Sequence, residues 1–152
     1  MATMGVLRSS LRDRRGGVAL EFALMTPILV FTILGMLDFA RVLAADSRAA
    51  NAALAGVHFG MQSPAHAADI DGIIRAARAD ARDTAEELGI TAQQSCACAN
   101  GAAILCSLSC EDGDKPIMHV KVSVSHEYET MMDYPMFTNP VPLFREAEFR
   151  VQ

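Results

Sequence analysis

One uncharged apolar run constrains this chain more than any other feature. It extends over 16 residues from Phe22 to Leu37, and counting back to Gly17 gives 21 residues with Glu21 as the only charge. An α-helix of that length spans roughly 31 Å at about 1.5 Å per residue. The hydrocarbon core of a bilayer is about 30 Å thick. The sequence therefore predicts a transmembrane helix over residues 17–37.

The charges on either side of this run predict its orientation. Residues 1–16 contain four arginines and one aspartate, whereas the whole chain has a formal net charge of −5. Basic residues before a membrane span favour the cytoplasmic side. We therefore expect a basic cytoplasmic leader over residues 1–16, a span in contact with membrane lipid, and an exported acidic remainder. This distribution argues against nucleic acid as a partner.

The helix is expected to continue beyond the membrane. Residues 38–60 contain eight alanines and neither proline nor glycine before Gly56, and alanine is the best helix former. We interpret this segment as an exported stalk that ends near Gly60, before Ser63-Pro64. Small side chains let neighbouring helices approach closely. The small residues assigned to such packing are Ala40, Ala44, Ala52, Ala55 and Gly56.

Residues 61–152 are predicted to form a small α+β domain. Isoleucine and alanine recur at spacings of three and four over residues 67–88, which predicts an amphipathic helix that ends at Gly89. Alternating valines after Met118 predict a half-buried strand, and a similar alternation ends at Val151. The expected sheet is antiparallel, has three or four strands, and is covered on one face by a helix.

Two turn signals separate these elements. Asn100-Gly101 predicts a hairpin turn between two short apolar stretches. Residues 130–142 contain three prolines and are expected to be irregular.

The four cysteines lie close together in this domain, at Cys96, Cys98, Cys106 and Cys110. An even, clustered set in an exported domain is typical of disulfides, and the spacing does not match the common pairs of zinc ligands. A bond between Cys96 and Cys98 would strain a strand. Two arrangements remain open, both of which link the 96/98 pair to the 106/110 pair. Each bridge is expected to stabilise the domain by about 2–4 kcal/mol.

Glu21 lies just inside the apolar run, where a carboxylate requires a compensating partner. If the chain is cut between Gly16 and Gly17, the new amine lies four residues before Glu21, about one helical turn. In a bundle of such helices that amine can pair with Glu21 of a neighbouring subunit and set the register. Alternatively, Glu21 lies at the lipid headgroups near a helix N-terminus, where a carboxylate is favourable by itself.

The segment around these residues resembles one known family. Its pattern is similar to that of the TadE-like pseudopilins of the bacterial tight-adherence (Tad/Flp, type IVc) pilus. The residues that carry the resemblance are Arg14-Arg15, Gly16, Glu21-Phe22-Ala23-Leu24, Pro27 and Asp38-Phe39-Ala40-Arg41. The resemblance is strong over residues 12–60 and loose beyond them, where it rests on the cysteines and a terminal strand.

The resemblance implies a minor pilin that a prepilin peptidase processes between Gly16 and Gly17. Such a protein would act with other pilin and pseudopilin subunits and an inner-membrane assembly platform in pilus assembly and surface adhesion. Glu21 and Phe22 would serve assembly, and Pro27 would either share that role or only kink the span, because it lacks an N–H. The C-terminal domain would lie in the periplasm or in an extracellular pilus. The resemblance implies no catalysis and no cofactor.

Two other hypotheses come from different classes of protein. Signal peptidase could release a periplasmic binding domain after Val42-Leu43-Ala44, which looks like a cleavage site. The length of the apolar run and the charge of Glu21 argue against that release. A plain anchor with an enzymatic ectodomain is the third hypothesis, but no hydrolase, phosphate-binding or dinucleotide motif is present. The dispersed histidines predict no metal site; they are His58, His66, His119 and His126.

Overall fold

A computed structural model describes residues 15–82, 87–135 and 138–151 of the chain. The chain divides into two units, residues 1–40 and residues 41–152. One long helix, α1 (Arg15–Gly60), contributes residues to both units. The predicted end of this helix near Gly60 is confirmed.

The described part of the first unit is helical, and its large apolar side chains are exposed. Helix α1 contains an 18-residue stretch with a mean hydropathy of 2.0, and no residue of that stretch is buried in the fold. The helix is therefore long and apolar enough to cross a membrane. The hydroxyls of Thr26 and Thr32 donate to the carbonyls of Phe22 and Ile28, at 2.7 and 2.8 Å. The helix thereby satisfies these hydroxyls internally, as a lipid environment requires.

The second unit combines the end of α1 with two further helices and one sheet. The helices are α2 (Pro64–Ala68) and α3 (Ile70–Ala81), and the strands are β1 (Gly89–Ala97), β2 (Ala103–Ile104), β3 (Ile117–Tyr128) and β4 (Val141–Val151). The strand order is β2-β1-β3-β4, and every pairing is antiparallel. The predicted α+β class, with a long N-terminal helix, an amphipathic helix and a small antiparallel sheet, is confirmed.

The core of this unit lies between the helices and one face of the sheet. Val120, Val122 and Val124 on β3 are fully buried, and the alternation predicted for this strand is confirmed. Glycine allows α1 to approach closely, because a Cβ atom at Gly60 would lie 3.0 Å from Val120 Cγ1. A larger residue at this position would push the helix off the sheet.

This packing shows where the small residues of the stalk lie. Ala52 is fully buried, and a Cβ atom at Gly56 would lie 3.3 Å from both Ala77 Cβ and Val122 Cγ2. Both residues therefore pack in the core of their own chain, and Gly56 lets α1 approach α3 closely, as predicted for the small residues of the stalk. Ala40 and Ala44 are exposed.

The helix predicted over residues 67–88 is shorter than its periodicity indicates. Asp69 interrupts it and caps α3, since its carboxylate accepts a hydrogen bond from the Gly72 N–H at 2.8 Å. Helix α3 ends at Ala81, and residues 83–86 of the predicted helix lie outside the described residues. Gly89 is not the stop of this helix but the first residue of β1, where a Cβ atom would lie 2.5 Å from Ser125 Oγ. Periodicity alone did not identify the cap.

The two turn predictions have different outcomes. The turn at Asn100-Gly101 is confirmed, with a φ of 84° at Gly101 and the Asn100 side chain accepting from the Ala102 N–H at 2.9 Å. The irregular stretch ends earlier than expected, because β4 already includes Pro142. Proline is tolerated there since β4 lies at an edge of the sheet.

Candidate processing and assembly site

The predicted processing pair, Gly16 and Gly17, lies in the first turn of α1. The first four N–H groups of a helix have no intrahelical acceptor, so this turn is the easiest part of α1 to open. Gly17 is exposed, and a Cβ atom there would meet nothing within 4 Å. A side chain at this position therefore leaves the packing unchanged. The leader before Arg15 lies outside the described residues.

Glu21 lies one helical turn beyond Gly17, on the same side of the helix. It is exposed, as are its apolar neighbours Leu20, Phe22 and Leu24. Among the described residues, no side chain forms an ion pair with Glu21. A carboxylate on an apolar helix surface is costly in lipid, so this arrangement favours a cationic partner from outside the described chain.

Pro27 and Phe22 lie on neighbouring turns. The helix continues through Pro27, but a proline has no N–H to donate to the carbonyl four residues earlier, here that of Ala23. The residue before this proline, Thr26, donates a hydrogen bond from its hydroxyl to the Phe22 carbonyl. The Phe22 side chain is 68% exposed, which leaves it available for contact with lipid or another helix.

The cysteines form two disulfides, Cys96–Cys106 and Cys98–Cys110. This result confirms the predicted cross-linking and selects one of the two arrangements that the sequence left open. The Cα atoms are 5.1 and 5.8 Å apart, within the range that disulfides require. The first bridge ties the segment after β1 to the strand itself, and the second ties it to Cys98, the residue that follows the strand. No described cysteine is free to ligate zinc.

The histidines occupy packing positions. His119 and His126 lie on opposite faces of β3, as their spacing predicts: His126 is 8% exposed, whereas His119 is half-buried beside Glu148. His66 contacts the Phe59 ring edge-on, with centroids 4.7 Å apart. Within the described ranges, no three potential metal ligands come together.

Two ion pairs between distant residues were missed by the sequence analysis. Arg145 on β4 binds Asp46 on α1 at 2.5 Å, and Lys121 on β3 binds Glu146 on β4. The hydrogen bond that Arg145 donates to Asp46 raises the pKa of Arg145, and the hydrogen bond that Lys121 donates to Glu146 raises the pKa of Lys121. Asp46 and Arg145 are 99 residues apart, so no local pattern could have indicated their pairing.

These features are typical of membrane-anchored proteins that carry a small disulfide-bonded domain. An exposed apolar helix of sufficient length suggests a membrane anchor, and it is followed in the same chain by a disulfide-bonded α+β unit. No curated protein and no solved structure shows a significant match to the chain.

A comparison with protein families gives a more specific result. The profile of the family described as TadE-like protein matches residues 16–58. The match begins at Gly16 and includes Glu21, Phe22 and Pro27, which are the residues that carried the resemblance. It covers under a third of the chain and ends two residues before α1 does.

Proposed function

We propose that this protein is a minor pilin, or pseudopilin, of a bacterial tight-adherence pilus. In this proposal a prepilin peptidase cuts between Gly16 and Gly17, and the mature protein acts in pilus assembly and surface adhesion. The observation that carries the proposal is the TadE-like match over residues 16–58, on a helix whose apolar side chains are exposed. The family supports a structural role associated with the Tad pilus.

The proposed cut supplies the partner that Glu21 lacks among the described residues. It would create an amine at Gly17, one helical turn before Glu21. Within one chain, the amine and the carboxylate would lie on the same side of α1. Between two adjacent helices, the amine of one subunit would pair with Glu21 of the other. Because an unpaired charge is costly in an apolar environment, only registers that match these groups would be stable.

The proposed location follows from the anchor and the cysteines. The basic leader would remain in the cytoplasm, and the C-terminal domain would lie in the periplasm of a single-pass inner-membrane protein or at the surface of a pilus. Two disulfides are compatible with such an oxidising compartment. The proposed partners are the prepilin peptidase, an inner-membrane assembly platform and other pilin subunits.

The structure offers little support for release by signal peptidase. The bond after Ala44 lies in the interior of α1, and the next residue, Ala45, is only 7% exposed. One residue further, Asp46 binds Arg145. A cut there would have to open a packed helix, whereas exposed loop tips are the usual sites of proteolysis.

The N-terminal residue of the mature protein tests this proposal. We expect mass spectrometry of the membrane fraction to find a protein that begins at Gly17. Gly16→Ala should keep its leader, because the resemblance places a glycine at the end of the leader. Gly17→Ala is the matched control and should be cut at the same bond, since that position has open space around it.

The other outcomes are equally informative. If only Gly17→Ala blocked processing, we would conclude that the natural cut lies one residue later, at the bond after Gly17. A soluble protein that begins at Ala45 would contradict the pilin proposal and support the released binding domain.

A further inference from the structure

The loop that the disulfides close displays two leucines to solvent. Leu105 is 70% exposed and Leu108 is 52% exposed. The Leu108 N–H donates to the Leu105 carbonyl at 3.0 Å, so both residues belong to one turn. Cys106 lies between them and is bonded to β1 through Cys96. Apolar side chains held on a constrained turn lose little conformational entropy when they bind a partner.

An acidic turn follows directly. The Cys110 N–H donates to the Asp114 carbonyl and the Gly113 N–H donates to the Cys110 carbonyl, both at 2.9 Å. Three exposed carboxylates belong to this turn, and in the described part of the chain no salt bridge neutralises them. We call the combined surface the leucine-acid tip, and its residues are Leu105, Leu108, Glu111, Asp112 and Asp114. A surface of this kind fits a partner with cationic and apolar groups side by side.

The same unit carries a surface with the complementary chemistry. Arg75, Arg78 and Arg82 follow one another at spacings of three and four along α3 and its C-cap, and all three are exposed. We call them the arginine stripe. Asp71 shares this face of the helix, and Arg75 lies 3.7 Å from the Asp69 carboxylate. The three arginines still outnumber these two carboxylates, so the stripe keeps an excess of positive charge. Exposed Ala79 and the aliphatic stems of the arginines supply apolar area for the leucines.

The tip and the stripe lie at different places in the fold. The segment that forms the tip leaves β1 at the end where Cys96 pairs with Met118. Helix α3 runs away from the Gly60 end of α1, since Ile73 lies against Gly60 whereas Ala77 lies against Gly56. Gly60 also lies against Val120, two residues from Met118. The later arginines therefore lie farther along α3 from the Gly60 end, and their exposure leaves them accessible to a second copy.

We propose that the leucine-acid tip of one copy binds the arginine stripe of another copy of this chain. The contact joins two different surfaces, so it is a head-to-tail contact that can repeat from copy to copy. Opposite charges would fix the orientation, and the two leucines would supply apolar contact. This inference rests on the proposed function, because a repeating contact between exported domains is useful to a protein that acts by assembly.

A charge-reversal experiment on the full chain tests this contact. The protein is reconstituted at one copy per lipid nanodisc, so that membrane helices of different copies cannot meet. Energy transfer between donor-labelled and acceptor-labelled discs then measures association through the exported domains. We expect transfer for the unmodified chain, and a reduction of about tenfold or more in affinity for Glu111→Lys with Asp112→Lys, because like charges would face each other.

The matched control reverses two exposed carboxylates elsewhere, Glu127→Lys with Glu129→Lys, and should leave the transfer unchanged. Arg78→Glu with Arg82→Glu should weaken association about as much as the tip variant does. Mixing discs of the tip variant with discs of the stripe variant should restore the transfer, because the reversed tip of one then faces the reversed stripe of the other. Leu105→Ala with Leu108→Ala should weaken association without any change in charge.

Three results would overturn the inference: no transfer for the unmodified chain, equal transfer for the tip variant and its control, or no restoration in the mixture. Circular dichroism of each variant shows whether the domain remains folded. None of these results depends on a cut between Gly16 and Gly17, so failure of this contact can be distinguished from failure of the pilin proposal.

Discussion

Helix α1 passes through two regions that use apolar side chains in opposite ways. Over residues 17–37 the large apolar side chains point outward, as with Phe22 at 68% and Phe31 at 63% exposed. Over residues 41–60 the buried residues are mostly small, among them Ala49 and Ala52, with Val57 as the largest fully buried side chain of this region. The first region is built for contact with lipid or other helices, and the second is built for its own core. The size of the side chains, rather than helix propensity, distinguishes these roles.

Removal of the disulfides is expected to have the largest effect on one region, the stability of the second unit, and no effect on the membrane span. Replacing both bridges, through Cys96→Ser with Cys106→Ser and Cys98→Ser with Cys110→Ser, should destabilise the second unit by about 2–4 kcal/mol per bridge. Retention in the membrane should not change, because the span lies outside the bridged segment. Urea unfolding and membrane fractionation measure the two effects. Ser107→Ala in the same loop is the control, and equal stability of all variants would contradict the expectation.

The same substitution in each region sharpens the comparison. Val122→Ala removes methyl groups from a fully buried position and should lower the free energy of unfolding by about 2 kcal/mol, as is usual for cavities in a core. Val30→Ala in the span, where the side chain is 47% exposed, should leave the stability of the second unit unchanged. Urea unfolding of both proteins in nanodiscs gives the two values. Similar losses would show that the span contributes to the core.

A smaller effect is expected where α1 binds the edge strand. Arg145→Met removes the ion pair with Asp46, and exposed ion pairs contribute little to stability. The melting temperature should fall slightly, and by less than for Val122→Ala. Arg48→Met provides the control, since Arg48 is an exposed residue of the same helix. A loss as large as that for Val122→Ala would indicate that this pair holds α1 on the sheet.

The smallest expected effect is a loss of stability at alkaline pH. The hydrogen bond that Lys121 donates to Glu146 raises the folded-state pKa of Lys121 above its ordinary 10.5. A raised pKa of a cation means that its contribution is fully present below the unfolded-state pKa and is lost as pH rises through the folded-state pKa. Stability of the unmodified chain should therefore fall above about pH 10.5 more than that of Lys121→Met. Parallel curves for the two proteins would contradict this attribution.

Local patterns predicted the parts of the fold that depend on local physics. The apolar run, the alanine-rich stalk and the alternation on β3 each follow from one repeated preference, and all three appear in the structure. The break at Asp69 was missed because a capping hydrogen bond can override the helical period. The surface that packs against Gly56 was not identified, because it depends on how distant parts of the chain fold together.

The candidate site was predictable to a different extent. Gly16, Glu21 and Pro27 form a pattern that sequence alone makes visible, and the TadE-like match begins at the first of them. The ion pair between Asp46 and Arg145 forms only because β4 packs near α1 in the folded chain. No local sequence pattern could therefore predict it. The disulfide pairing is an intermediate case, because sequence reduced three arrangements to two and the fold selected one.

The intact mass of the membrane-bound protein tests the central claim most directly. It should be measured in two otherwise identical bacterial strains, one with a prepilin peptidase and one without. We predict that the protein lacks residues 1–16 only in the strain that has the peptidase, and that it keeps its span in both. The full-length mass in both strains would contradict the claim, because the amine that is proposed to pair with Glu21 would then never form.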